Sequence, residues 1–297
     1  IDNDNMDNNA GTMLNSSVLS ASEYIDSVEL FRGSFVLVES NVSFGDVYVN
    51  STSVLDLRSG YGFPSDLNLY LQNQSTLTHG YNTNNKTHFI DLTLANLTID
   101  ASSAINVSGK GYRWDEGPGA GGDSSSRSGG GAGHGGLGSD AENGGSGGGV
   151  YGLITEPVSL GSGGGTGDAE RGGRGGGLVK LNVSDYLYLD GAIFADGLLG
   201  THNNADSGGG GSGGGINMYA SSFSGNGSLS VVGGDGISNV YDSGGGSGGR
   251  VSIKYHSNNF TGSIRAYGGS GKHDKDGGAG TIYLHDNVAN KSYLEID

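Results

Sequence analysis

GGGAGHGGLGSDAENGGSGGG, residues 129–149, is the densest part of a glycine-rich stretch that runs from 109 to 177. Shorter versions return as SGGGGSGGG at 207–215, SGGGSGG at 243–249 and GGSG at 268–271. Glycine loses more backbone entropy on ordering than any other residue, so this much of it needs a structural reason. A disordered linker is one. The other is a bundle of polyglycine-II legs, each with three residues per turn and a rise of about 3.1 Å per residue. A lone leg has no internal hydrogen bonds, but legs without Cβ atoms approach closely and bond to each other. The bundle is favoured because each later glycine block sits between two strand-like segments of similar design, and a linker does not need to return in register. Fully extended, residues 129–149 would reach about 65 Å in this geometry. That is too long for one leg, which predicts that the segment folds back on itself.

The rest of the composition agrees with a thin, elongated molecule. The chain has 297 residues, 62 of them Gly and only 3 Pro, so it is neither collagen nor a proline-rich linker. Leu, Ile, Val and Phe number 64. One large spherical core is therefore disfavoured, whereas a core along a long axis needs few apolar side chains per layer. The formal net charge of −16 argues against nucleic acid as a partner, because phosphate binding needs clustered Lys and Arg. No apolar run reaches the length of a membrane span. With no cysteine, disulfides and thiolate metal sites are excluded. The lack of an initiator Met and of a signal peptide is what a mature or excised segment would show.

Asn-x-Ser/Thr occurs eleven times, at Asn15, Asn41, Asn50, Asn73, Asn85, Asn96, Asn106, Asn182, Asn226, Asn259 and Asn290. Such acceptor sites point to N-glycosylation and a secreted or cell-surface protein. Strand parity supports this. Successive strand residues face opposite ways, so with Val47 and Val49 inward Asn50 points out. Leu97 and Ile99 place Asn96 outward, Ile105 and Val107 do so for Asn106, and Leu181 and Val183 for Asn182.

Residues 1–24 are polar and predict an N-terminal arm. Asp2, Asp4 and Asp7 there hint at a calcium loop, but Met6, Asp7 and Met13 occupy positions where an EF-hand needs Asp or Asn, Gly and Glu. Residues 25–108 predict β-rich rungs, each a short alternating strand, a polar corner and a second strand, as in segments 47–60, 67–80 and 92–109. Residues 109–177 are the polyglycine-II block. Residues 178–297 predict further rungs with glycine-rich inserts. GGGLVKLNVSDYLYLDGAIFADG (175–197), GGGINMYASSFSGNGSLSVVGGDG (213–236), GGRVSIKYHSNNFTGSIRAYGGSG (248–271) and the partial GGAGTIYLHD (277–286) are copies of one unit. Repeats of this length read as a solenoid, in which each unit buries its apolar face against its neighbours. The predicted class is all-β, a β-solenoid or β-helix-like stack of short strands with polyglycine-II segments and little or no α-helix. Stacked sandwiches remain the other β architecture.

The two ends share a dipeptide, Ile1-Asp2 and Ile296-Asp297. With no amphipathic cap in sight, Ile1, Asp2, Leu294 and Ile296 are candidate contacts of a head-to-tail homopolymer, joined covalently or by strand addition.

The segments GPGAGG, GGGAGHGGLG, YGLITEPVSLGSGGG, GGGLVKLNVSDYLYLDGAIFADG, SLSVVGGDG, SGGRVSIKY, GSIRAYGGSG and GGAGTIYLHD, in that order over about 109–284, resemble the large glycine-rich repeat proteins of cell surfaces and extracellular fibres. The resemblance implies a secreted structural or adhesive role and β-solenoid rungs with glycine inserts. It supplies no catalytic residues.

Other chemistry finds little footing. Several glycine runs satisfy G-x-G-x-x-G, but the helix a dinucleotide site needs is missing. Residues 135–143 begin like a calcium-binding nonapeptide, yet Glu142 stands where a large apolar residue belongs and no second copy adjoins. His79, His88, His134, His202, His256, His273 and His285 show no metal-ligand spacing and read as structural or surface residues. Trp114 reads as the seal between the β-stack and the glycine block. Asp190, Asp196 and Asp235 lie near strand ends. They could serve a β-helix polysaccharide lyase or hydrolase, but they look like turn residues. The sequence thus predicts a non-enzymatic subunit of a secreted, N-glycosylated filament that assembles with itself, without a cofactor. A non-polymerising glycan- or surface-binding adhesin is the alternative.

Overall fold

The computed structural model describes residues 12–14, 25–30, 35–38, 44–57, 66–125, 127–203, 205–237, 241–271 and 273–297. Ile1, Asp2, Asn15 and Asn41 lie outside the described residues. Seventeen strands and no helix occur among them. In chain order they begin with β1 (Thr12–Leu14), β2 (Ile25–Leu30), β3 (Phe35–Val38), β4 (Phe44–Val49), β5 (Val54–Leu57) and β6 (Asn68–Leu71). Next come β7 (Thr76–His79), β8 (Ile90–Ile99), β9 (Ala104–Asn106), β10 (Leu178–Leu189), β11 (Ala192–Phe194) and β12 (Gly215–Gly225). The last are β13 (Ser228–Ser230), β14 (Arg250–Phe260), β15 (Ser263–Arg265), β16 (Thr281–Asp286) and β17 (Lys291–Ile296).

Odd-numbered strands β1 to β15 form one eight-stranded sheet in sequence order. Even-numbered strands β2 to β16, with β17 on the outside, form a nine-stranded sheet. Neighbouring strands are parallel in both sheets, as in β8–β10 and β11–β13, except for β17, which runs antiparallel to β16. The fold is therefore all-β with parallel sheets. The repeat units seen in the sequence become strand pairs: 175–197 supplies β10 and β11, 213–236 supplies β12 and β13, and 248–271 supplies β14 and β15. Thr12–Leu14, within the polar stretch 1–24, pair with β3 at the sheet edge; the rest of that stretch lies outside the described residues.

Period-2 alternation decides which side chains go inside. β8 alternates buried and half-buried residues almost throughout, with Ile90, Leu92, Leu94, Leu97 and Ile99 buried. Register then stacks like on like. Leu55, Leu77, Ile105, Ile193, Leu229 and Ile264 lie in one column of the eight-stranded sheet. Corners between paired strands are polar. Ser51 and Thr52, then Asn73 and Gln74, adopt left-handed φ of 53°, 62°, 52° and 65°. Hydrogen bonds stack these corners, as Asn73 N–H donates to Asp100 Oδ2 at 2.6 Å and Asn226 N–H to Asp190 Oδ1 at 2.9 Å.

The glycine-rich segments all leave from one place, between the end of an odd strand and the start of the next even one. The largest, between β9 and β10, interrupts neither sheet, because β8 pairs with β10 and β9 with β11. Among the described residues, 109–177 contains isolated bridges but no strand.

Candidate functional surfaces

The glycine segments bond backbone to backbone. Residues 129–149 do fold back: Gly131 N–H donates to Ser139 O at 2.8 Å, Gly148 N–H to Gly131 O at 2.9 Å, and Gly138 N–H to Gly148 O at 2.9 Å. Segments from distant repeats join the network. Gly165 N–H donates to Gly130 O, Gly209 N–H to Gly165 O and Gly173 N–H to Gly209 O, at 2.8–2.9 Å. The absence of a side chain is what permits this. A Cβ on Gly131 would sit 1.9 Å from Gly245 O, whereas one on Gly149 would meet nothing within 4 Å.

A polar seam ties this network to the nine-stranded sheet. Fully buried His134 stacks on Tyr151 with ring centroids 4.5 Å apart. Its Nδ1 lies 2.8 Å from Gly213 O, and its Nε2 has no hydrogen-bond partner. That pattern assigns the neutral tautomer with Nδ1–H donating. Burial holds the imidazole pKa down, to about 4, and the nearby Arg250 charge acts in the same direction. Arg250, 3% exposed, donates to Tyr151 O at 2.9 Å, His134 O at 3.3 Å and Thr281 Oγ1 at 3.1 Å. Ser162 Oγ donates to the Tyr151 hydroxyl at 2.8 Å and accepts from Gly119 N–H at 3.0 Å. The sequence pattern did not single out Arg250. The available signal was register, since Arg250 takes the place that Gly215 holds in β12 and Leu178 in β10.

Trp114 is half-buried, with the Arg171 guanidinium 4.6 Å and the Arg113 guanidinium 5.9 Å from its ring centre. Its backbone abuts the glycine network, where a Cβ on Gly163 would come 2.7 Å from Trp114 Cα. Next to it, Asp115 accepts from Thr166 N–H at 2.7 Å and Thr166 Oγ1 at 2.6 Å. Burial and the adjoining Asp123 carboxyl raise its pKa to about 6.

Among the acceptor-type asparagines, Asn73, Asn85, Asn106, Asn182, Asn226, Asn259 and Asn290 are exposed, while Asn50 and Asn96 are half-buried. Asn96 is further constrained. Its Nδ2 donates to Asn68 Oδ1 at 2.7 Å, and Asn68 Nδ2 donates to Asp46 Oδ1 at 2.8 Å, forming a ladder across three strands. Asn73 Nδ2 likewise donates to Asn50 Oδ1 at 2.7 Å.

No protein family, curated protein or solved structure matches the chain. The three strand-end carboxylates act within the fold. Asp190 accepts from Asn226 N–H and the Tyr188 hydroxyl, Asp196 from Ser230 Oγ and Val232 N–H, and Asp235 from Ser270 N–H. Asp196 and Asp235 line one groove of about 640 Å³ with Phe194, Leu199, Arg265 and Tyr267, and Asp190 lies outside it. No group of three or more metal-binding side chains occurs among the described residues. No helix of the described residues is long and apolar enough to cross a membrane.

The two ends of the core differ from its middle. Val28 on β2 is only partly buried, and so are Phe260, Ile264 and Leu284 at the opposite end. Beyond Leu284, all six residues of β17 are exposed, Leu294 at 54% and Ile296 at 72%. A returning strand thus covers the edge of β16.

Proposed function

We propose that this chain is the structural subunit of a secreted, N-glycosylated extracellular filament that assembles head to tail. The observation that carries the proposal is that, among the described residues, Val28 near one end of the core and Phe260, Ile264 and Leu284 near the other are only partly buried. A closed, capped domain would bury these residues, whereas end-to-end contact between copies buries them against each other. Leu294 and Ile296, exposed on the edge strand, belong to the same end. In this proposal the strand pairs are the coils of a β-solenoid, which gives axial stiffness. The glycine segments are polyglycine-II legs packed through backbone hydrogen bonds. Glycans and a net charge of −16 keep neighbouring filaments apart.

The glycan claim has its own test. Intact mass should fall on N-glycosidase treatment of the native protein. Peptide mapping should find glycan at the exposed Asn182, Asn226, Asn259 and Asn290. Asn96 should carry least, because its amide nitrogen already serves the ladder. No mass loss at any acceptor site would remove the secreted-glycoprotein part of the proposal.

A second proposal, a non-polymerising module that binds a glycan or surface, is favoured by the groove between Asp196 and Asp235. Leu199, 57% exposed, and Tyr267, 46% exposed, offer apolar faces beside polar groups there. The two proposals part on whether the native protein forms filaments.

A further inference from the structure

We infer that the open edge of β15 receives β1 of a second copy of this chain, so that the eight-stranded sheet continues from one copy into the next. This rests on the head-to-tail proposal and gives it a specific joint. Register is the first support. The column Ile264, Leu229, Ile193, Ile105, Leu77 and Leu55 continues at the other end of the sheet through Val36 to Thr12. Placing β1 of a second copy beside β15 in the same parallel sense sets its Thr12 opposite Ile264 and its Met13 opposite Arg265. The eight-stranded sheet then runs on without a shift, and β2 of that copy comes to the outer edge of β16, which β17 vacates on joining.

Hydrogen bonding is the second support. In three successive rungs the N–H that follows the short strand donates to a carbonyl of the next rung. Val107 donates to Phe194 O at 2.8 Å, Ala195 to Ser230 O at 2.8 Å and Val231 to Arg265 O at 2.9 Å. Phe194, Ser230 and Arg265 share one column, one residue on from that of Ile193, Leu229 and Ile264, just as Met13 follows Thr12. Ala266 is the next donor in this series, and its rung has no successor in the eight-stranded sheet. Its N–H goes instead to the Asp297 side chain, at 2.6 Å from Oδ2. The carboxylate therefore stands where a following strand would place its carbonyl. The Met13 carbonyl of a second copy meets that need in the manner of these three rungs, and strand addition of this kind removes an exposed edge.

The chain contains no cysteine, so paired thiols report the joint cleanly. In-register neighbours in a sheet lie about 4.8 Å apart, within the range a disulfide spans. Met13→Cys protein mixed with Arg265→Cys protein under mild oxidant should give a two-chain product, and the double variant a ladder of multiples. Met13→Cys mixed with Asn182→Cys, exposed on the other sheet, should give several-fold less. Adding Asp297→Ala should raise the Met13–Arg265 yield by freeing the Ala266 N–H. Assemblies that form without this disulfide, or equal yields with Asn182→Cys, would overturn the joint while leaving head-to-tail assembly standing. Absence of any assembly would overturn both.

Discussion

Gly131→Val should cost about 4 kcal/mol or more, a large share of the protein's stability, and Gly135→Val should do the same. Ordinary overpacking of a core costs about 1–3 kcal/mol because side chains can give way. Here the obstacle is backbone: the added Cβ would lie 1.9 Å from Gly245 O at position 131 and 2.2 Å from Gly249 O at position 135. Neither carbonyl can retreat alone. Gly245 O accepts from Ser139 N–H, and the adjoining Gly244 N–H donates to Gly129 O. Relief therefore breaks several bonds, each worth about 1 kcal/mol net, out of a total stability of about 5–15 kcal/mol. Gly149→Ala is the internal control. Its Cβ would face open space, so the change should leave stability within about 1 kcal/mol of the original and in the stabilising direction, through the entropy of the unfolded chain. Urea unfolding followed by far-ultraviolet circular dichroism separates the cases. Equal, small effects at all three positions would mean that the glycine segments are not packed against each other.

Acidification is expected to weaken the seam at His134. Burial depresses its pKa from 6.5 to about 4. Between these values the unfolded chain binds the proton and the folded chain does not, so stability present above pH 6.5 is lost as the pH falls towards 4. At 1.36 kcal/mol per unit this amounts to about 3 kcal/mol. Asp115 works against it. Its pKa is raised to about 6, so the folded state takes up a proton first and gains stability over the same interval. Asp115 is half-exposed, and solvent screening reduces its share. The clean comparison is therefore made in an Asp115→Asn background, with and without His134→Asn. The asparagine amide can still donate to Gly213 O, so the chief difference between the two proteins should be the slope of stability between pH 6.5 and 4. An unchanged slope would show that His134 does not stay neutral in the fold.

What the sequence revealed and what it hid follow from the range of the interactions. Alternation at Leu181, Asn182 and Val183 is local, and the structure buries the outer two and exposes the asparagine as parity requires. The copies at 175–197, 213–236 and 248–271 were readable for the same reason, since each contains its own strand pair. Parallel pairing was not readable, because an alternating strand looks alike in parallel and antiparallel sheets. The partner of each glycine was hidden too: Gly130, Gly165 and Gly209 carry no side-chain pattern to mark which backbone they meet. Arg250 and His134 gained their roles only when residues more than a hundred apart were brought together. β1 and the Asp297 carboxylate were hidden for a different reason, as one is three residues long and the other looks like an ordinary surface acid.

The most direct test of filament assembly is the axial repeat of the native protein by electron microscopy. If β1 of each copy follows β15 of the last, one subunit advances the filament by the width of its eight-stranded sheet. At about 4.8 Å per strand, the expected repeat is about 38 Å. Long filaments with that repeat are the result this account predicts. Isolated particles without axial order would contradict it and would turn attention to the groove beside Asp196 and Asp235.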